Sequence, residues 1–122
     1  AMAWYPSDPR LDRWLEIYHA VARANGAEPD AGRRLYAWAR AAGFSETTPS
    51  ASTWLFADPE RRTWWGETWA ERTLRSGLAE QAVAIGVASR DELAAIAAGW
   101  RDWTTHPDGW FSVLHGEVLA RP

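Results

Sequence analysis

Apolar residues recur at helical spacing in the first segment of the chain. They are Leu11, Trp14, Leu15, Tyr18, Val21 and Ala22. This period predicts an amphipathic helix over residues 9–25. Asp8 is a suitable N-cap, Pro9 fits the first helical position, and Asn25-Gly26 is a typical helix end.

A second helix and then a strand follow without a long linker. The helix is predicted over residues 31–42, with Asp30 as its N-cap and Gly43-Phe44 as its end. A glycine favours the left-handed conformation that closes a helix, and the residue after it often makes a hydrophobic contact. Residues 47–56 are rich in Thr and aromatic side chains, which predicts a strand. Pro49 has no N–H, so its side of the strand is expected to face a sheet edge or a bulge.

The second half of the chain predicts a helical insertion over 59–105 and a final strand over 110–119. Asp58-Pro59 repeats the signal of a cap followed by proline. Gly77 and Gly86 divide the insertion into three helices. Ser89 and Glu92 have the spacing of a capping box, which opens the last of the three.

These elements predict an α+β fold that is mostly helical, with about five helices and two antiparallel strands. The chain is expected to form a single domain over residues 1–122, in which residues 1–6 are apolar and irregular. Two strands are marginally stable without a covering layer, so the helices are expected to cover them.

Composition excludes several classes of function. The net charge of −3 is weak and mixed along the sequence, so it favours neither a nucleic acid nor an anionic membrane as a partner. Cysteine is absent, and no apolar run approaches the roughly 18 residues that span a bilayer. The three histidines lack metal-ligand spacing, so no metal site is predicted. A cytoplasmic protein is expected.

Ten Trp in 122 residues is an unusually high content. Each indole buries a large apolar area but carries an N–H that requires an acceptor. This density predicts a Trp-rich core, an aromatic pocket, or both.

Three motifs follow one another along the chain: an Ala-Gly-Phe helix end before a strand at 42–44, Trp-Trp-Gly at 64–66, and His-Gly-Glu-Val-Leu at 115–119. In this order they resemble the C-terminal half of class I S-adenosylmethionine-dependent methyltransferases. The chain is most similar to the small-molecule methyltransferases of the ubiquinone and menaquinone biosynthesis type. The resemblance covers nearly the whole chain.

The resemblance implies that this chain is a fragment of a Rossmann-like α/β fold. In that family the sheet has the strand order 3-2-1-4-5-7-6, with strand seven antiparallel. On this template Ala1 directly follows strand five, residues 47–56 form strand six, and residues 110–119 form strand seven. Residues 59–105 are then a lid-like insertion between the last two strands.

The family's cofactor-binding motif is missing from the chain. No Gly-x-Gly-x-Gly occurs, and the apolar start Ala-Met-Ala-Trp-Tyr is typical of the interior of a protein. The resemblance therefore implies that S-adenosylmethionine is bound by the intact parent enzyme, and that none binds to this piece.

The resemblance also implies which residues line the acceptor pocket, because ligands of open α/β sheets bind beyond the carboxyl ends of the strands. The predicted substrate-binding residues are Trp4, Tyr5, Trp54, Phe56, Trp65, Trp69, Arg72, Trp110 and Phe111. Core packing is the alternative for Trp65 and Trp69, and a packing anchor is the alternative for Trp4.

Two polar residues are candidates for roles in such a site. His19 is a candidate general base for an acceptor hydroxyl, although a histidine beside an apolar helix face is often structural. Arg72 would pair with an anionic substrate group, or alternatively with Glu67 or Glu71 on the helix surface.

The predicted function is therefore the C-terminal part of a small-molecule methyltransferase, supplying the acceptor pocket and lid and inactive alone. Its partner would be a small organic methyl acceptor. With strand five absent, strand 110–119 has a bare edge, which predicts self-association of the piece. The alternative function is a non-catalytic helical module that self-associates or binds a partner through a Trp-rich surface.

Overall fold

The computed structural model describes residues 1–122 and confirms an α+β, mostly helical fold. It contains five α-helices and three β-strands. The helices are α1 (Pro9–Ala24), α2 (Leu35–Ala41), α3 (Pro59–Arg75), α4 (Gly77–Ala84) and α5 (Arg90–Thr105). The strands are β1 (Met2–Tyr5), β2 (Glu46–Phe56) and β3 (Trp110–Arg121).

The three strands form one antiparallel sheet with the order β1-β3-β2. β2 pairs with β3 along its whole length, from Glu46 opposite Arg121 to Phe56 opposite Phe111. β1 pairs with the start of β3, from Tyr5 opposite Trp110 to Met2 opposite Val113. The pairing of β1 with β3 therefore joins the first residues of the chain to a segment more than 100 positions later.

The expectation that residues 1–6 are irregular is wrong, since Met2–Tyr5 forms a third strand. Ala1 extends the pairing, because its carbonyl accepts a hydrogen bond from the Leu114 N–H at 2.8 Å. The ring of Trp4 stacks on that of Phe111, with centroids 5.6 Å apart. Burial of this apolar segment against β3 stabilises the extended conformation.

The free edge predicted for strand 110–119 is correspondingly shorter. β1 and Ala1 cover the edge of β3 from Trp110 to Leu114. Only the part from His115 onward has no strand beside it on that side. On the other side of β3 lies β2, which is the outer strand of the sheet, as Pro49 predicted.

Helix ends follow the local sequence except at Asp30. Gly43 has a φ of 91°, and the N–H of Phe44 bonds the carbonyl of Ala39, as expected for a glycine-closed helix. Asp30, in contrast, makes no capping hydrogen bond. Residues 31–34 form a 3-10 helix, and α2 begins only at Leu35. The Asp30 carboxylate lies 3.7 Å from the Arg23 guanidinium and 3.6 Å from that of Arg33 instead.

The two faces of the sheet have different cover. Phe111 and Val113 point to one face, where α1, α3 and α5 pack on them and form the core. Gly116, by alternation, points to the opposite face. There it meets the 3-10 helix, because a Cβ on Gly32 would lie 2.9 Å from the Gly116 nitrogen.

None of the helices combines the length and apolarity required to cross a bilayer.

Candidate functional site

The carboxyl ends of β1 and β2 and the start of β3 lie together at one end of the sheet. Tyr5 is opposite Trp110, and Phe56 is opposite Phe111. Both strands that flank β3 run in the same direction, because each is antiparallel to it. The three segments that the sequence singled out for an acceptor pocket are therefore neighbours.

The predicted pocket residues divide into a buried and an accessible set. Four lie in the core: Phe56, Trp65, Trp69 and Phe111. Three aromatic residues are well exposed: Tyr5, Trp54 and Trp110. Trp4 is half-buried against the core, where its ring stacks on Phe111. Only the accessible aromatic side chains would contact a ligand without rearrangement of the core.

The buried set belongs to a continuous aromatic cluster centred on Trp14. The Trp14 ring meets Trp69 at 4.7 Å and Trp100 at 4.9 Å, in both cases edge to face. Phe111 lies 6.2 Å from Trp14 and 5.5 Å from Trp100. Edge-to-face pairs of this kind add to the apolar burial of each ring. The cluster therefore fixes the end of the sheet on which the accessible aromatic residues stand.

Arg62 is a buried cation at this end that the predictions missed. Its side chain is 8% exposed, and its Nη1 donates to the Ala57 carbonyl at 2.6 Å and the Pro107 carbonyl at 3.3 Å. A Cβ at Gly109 would lie only 2.8 Å from Arg62 Cδ, so that glycine makes room for the arginine. The guanidinium thus ties the residue after β2 to the turn before β3.

A sequence signal for Arg62 exists. Arg62 precedes Trp65 by three positions and Trp69 by seven, which places it on the inner face of α3. Its neighbour Arg61 is exposed on the outside of the helix. The position of an arginine within the apolar stripe of α3 was thus the sequence signal for its burial.

His19 and Arg72 lie on the helices near the aromatic cluster. The His19 ring is 6.0 Å from that of Tyr18, and its nitrogens make no hydrogen bond within the chain. Arg72 forms neither of the ion pairs considered for it, because Glu71 pairs with Arg75 and Glu67 lies 3.6 Å from Arg101. Its guanidinium lies 5.2 Å from the Trp69 ring centroid, a cation–π distance.

A groove lies along the outer edge of β2, where that strand meets the start of α3. Its volume is about 490 Å³, within the usual range for small-molecule sites. The lining residues are Thr53, Trp54, Leu55, Phe56, Arg61 and Trp64. Two of the predicted residues, Trp54 and Phe56, are among them.

A second cavity of about 460 Å³ lies at the opposite edge of β3. This cavity lies beside the start of β1, and its lining includes Ala1, Gly32, His115 and Gly116.

Electrostatic interactions organise both ends of the sheet. The Arg10 guanidinium donates to the Asp8 carboxylate at 2.7 Å and to that of Asp102 at 2.8 Å. The hydrogen bond from Arg10 lowers the pKa of Asp8. On the β2–β3 ribbon, the Ser52 hydroxyl and then that of Ser50 lower the pKa of Glu117 by donating to its carboxylate. No cluster of three or more His, Cys, Asp or Glu has a geometry for a metal ion.

No protein-family model matches the chain. Over 119 residues, which are 96% of this chain, it is 31% identical to a protein of Schizosaccharomyces pombe named as an uncharacterized methyltransferase. The chain is therefore similar to a methyltransferase. It spans 42% of the length of that relative.

Proposed function

We propose that this chain is the acceptor-side part of a cytoplasmic, class I S-adenosylmethionine-dependent methyltransferase that acts on a small organic molecule. The observation that carries the proposal is the similarity to a methyltransferase over 96% of the chain. The β1-β3-β2 sheet supports it, since a central antiparallel strand between two parallel ones is the arrangement that the family resemblance implies for strands five, seven and six. Strand five would then include Met2–Tyr5, and would not end before Ala1 as the sequence suggested.

The residues of the chain do not form a holder for S-adenosylmethionine. In a Rossmann-type fold, a nucleotide-type cofactor is held at a glycine-rich turn between a strand and a helix. The three glycines with positive φ, at positions 26, 43 and 86, each end a helix instead. The cofactor would be held by residues of a longer protein, and this piece would be inactive alone.

The chain's own contribution would be binding and orientation of the acceptor. Tyr5 and Trp110 present aromatic surfaces on one face of the sheet end, and Trp54 presents one on the other face, where the aromatic cluster packs. Orientation and exclusion of water are large contributions to reactions of this kind. Helices α3 to α5 would act as the lid, with Arg72 as a cation for an anionic acceptor group and His19 as the base.

Calorimetry with S-adenosylmethionine tests whether this chain lacks a cofactor site of its own. We expect no heat of binding from this chain at cofactor concentrations up to about 1 mM. A Kd of about 1 mM would correspond to a binding free energy of only about −4 kcal/mol. A longer protein carrying the upstream residues should bind the cofactor and transfer its methyl group. Micromolar binding by the chain alone, or an upstream sequence without a glycine-rich turn after a strand, would contradict the proposal.

A second candidate function is a self-associating module, favoured by the unpaired part of β3. Backbone groups of alternate residues point to the same edge, so Gly116, Val118 and Ala120 share the free edge with Leu114. An antiparallel pairing of two copies centred on Leu119 would satisfy these groups. It would also set Glu117 of each copy opposite Arg121 of the other.

Engineered cysteines distinguish this pairing from other registers, because the chain has no cysteine of its own. Opposite residues at a non-hydrogen-bonded position have Cα atoms about 4.5 Å apart, within reach of a disulfide. Leu119→Cys should therefore form a cross-linked dimer under oxidation, while Val118→Cys should not. A monomer in sedimentation at about 100 μM with no cross-link in either variant would exclude self-association.

A further inference from the structure

The groove along the outer edge of β2 has an aromatic lining that the core does not use. Trp54 is 54% exposed and Trp64 is 60% exposed, although tryptophan side chains are highly buried on average. Leu55 beside them is 43% exposed. Contiguous apolar exposure of this kind marks a binding surface more often than an accident of packing.

The walls of the groove are held in place before any ligand arrives. The Trp54 ring packs on that of His115, with centroids 4.3 Å apart. The Trp64 ring lies 6.0 Å from the rings of both Phe56 and Trp65, which belong to the core. Because the two indoles are already positioned, a ligand would lose little free energy in ordering them.

One cation gives the groove its chemical preference. Arg61 is the only ionisable residue in the lining, and residues 47–56 of the strand contain no charge. The Arg61 Nε lies 3.5 Å from the Asp58 carboxylate, and both side chains are more than half exposed. Exposed pairs of this kind are weak, so the guanidinium remains able to bind an anion. A guanidinium also matches the planar, two-oxygen geometry of a carboxylate.

The groove lies on the side of β3 opposite to β1. Residues that continued β1 backwards from Ala1 would occupy the far edge of the sheet, beside the second cavity. They would therefore leave the groove open.

We propose that this groove binds a planar aromatic carboxylate, with the ring against the indoles of Trp54 and Trp64 and the carboxylate at Arg61. The inference rests on the proposed function only in that such an acid would be the methyl acceptor, and it assigns the acceptor's anionic group to Arg61 in place of Arg72. Binding itself needs neither the cofactor nor methyl transfer, so the two proposals can fail separately.

Titration with 2-naphthoate, followed by the indole N–H signals of the ¹⁵N-labelled chain, tests the proposal. Trp54→Phe and Trp64→Phe assign the two relevant signals among the ten indoles. We expect these two signals to shift with a Kd below about 1 mM. The neutral 2-naphthamide should bind more weakly, because it lacks the charge that Arg61 would meet.

The charge contribution has a matched pair of variants. Arg61→Gln should weaken 2-naphthoate binding by roughly three- to tenfold, as an exposed charge-assisted hydrogen bond would, and should leave 2-naphthamide unchanged. Arg75→Gln removes an exposed arginine at the other end of α3 and should have no effect on either ligand. Naphthoate shifts confined to other indoles, an affinity independent of Arg61, or no binding at 10 mM would each overturn the proposal.

Discussion

The two halves of the β2–β3 ribbon have the same backbone pairing but opposite surroundings. Near Phe56 and Phe111, helices cover the inner face of the sheet, and Phe56, Phe111 and Val113 are buried there. Near Ser50 and Glu117, the same face is open, and Leu119 is 62% exposed. Hydrogen bonding between strands therefore does not by itself decide which part of a sheet is stable. The aromatic cluster at one end anchors a ribbon whose other end is available for partners.

Truncation of a buried indole should produce the largest difference between the two ends. Trp100 is fully buried against Trp14 and Phe111, so Trp100→Ala should cost about 3–5 kcal/mol in the free energy of unfolding. Leu119→Ala at the open end should cost less than about 0.5 kcal/mol. Urea unfolding followed by circular dichroism measures both.

The milder core variant Ile96→Val keeps this comparison usable if Trp100→Ala does not fold. It should cost about 0.5–1.5 kcal/mol, still more than the exposed leucine. Equal effects at Leu119 and in the core would mean that the open end is covered in solution.

The contact between Gly32 and Gly116 is where the open half of the ribbon meets the 3-10 helix. A methyl group on either residue would enter the backbone of the other, so Gly116→Ala should cost about 1–3 kcal/mol. Gly77→Ala is the matched control, because a Cβ there meets nothing within 4 Å and helix formation favours alanine. That variant should be neutral or stabilising by up to about 1 kcal/mol. Thermal unfolding of both variants measures these effects. If Gly116→Ala were also neutral, the contact with Gly32 would not stabilise the open half of the ribbon.

The smallest expected effect is a pH dependence at the anchored end. Hydrogen bonds from Arg10 lower the pKa of Asp8 below its unfolded value of about 3.9. A depressed folded pKa stabilises the protein above the unfolded pKa, and this stability is lost as the pH falls from about 4 through the folded value. Asp8→Asn retains a capping side chain but does not titrate.

Unfolding free energies of the wild type and Asp8→Asn at pH 6 and pH 2.5 measure this term. The wild type should lose more stability than the variant between those two pH values. Parallel losses would show that the Asp8–Arg10 pair contributes nothing to the anchoring of α1.

The sequence predicted the local elements well where a single side chain decides them. Asp58 caps α3 by accepting from the Arg61 N–H at 2.9 Å, and Ser89 caps α5 by accepting from the Glu92 N–H at 3.1 Å. The capping box at Ser89 is only half formed, because the Glu92 carboxylate reaches Arg13 of α1 at 3.2 Å instead. A partner distant in sequence thus redirected a residue whose local role was predictable.

The candidate site was predicted less completely than the elements. Aromatic residues at the strand ends could be named from the sequence, but their division into core and surface could not. Trp64 and Trp65 are adjacent, yet one lines the groove and the other stacks on Phe56 at 4.2 Å. The direction in which α3 crosses the sheet decides which of the two side chains is buried and which is exposed.

Periodicity, caps and glycine positions determined the long strands, the fold class and the helices other than the start of α2, because these depend on interactions within a few residues. The tertiary structure alone decided the role of Met2–Tyr5, which pairs with residues more than 100 positions away. It also decided that Arg62 is buried while Arg61 borders an open groove. Such outcomes depend on which surfaces the packed helices leave uncovered, and no local pattern records that.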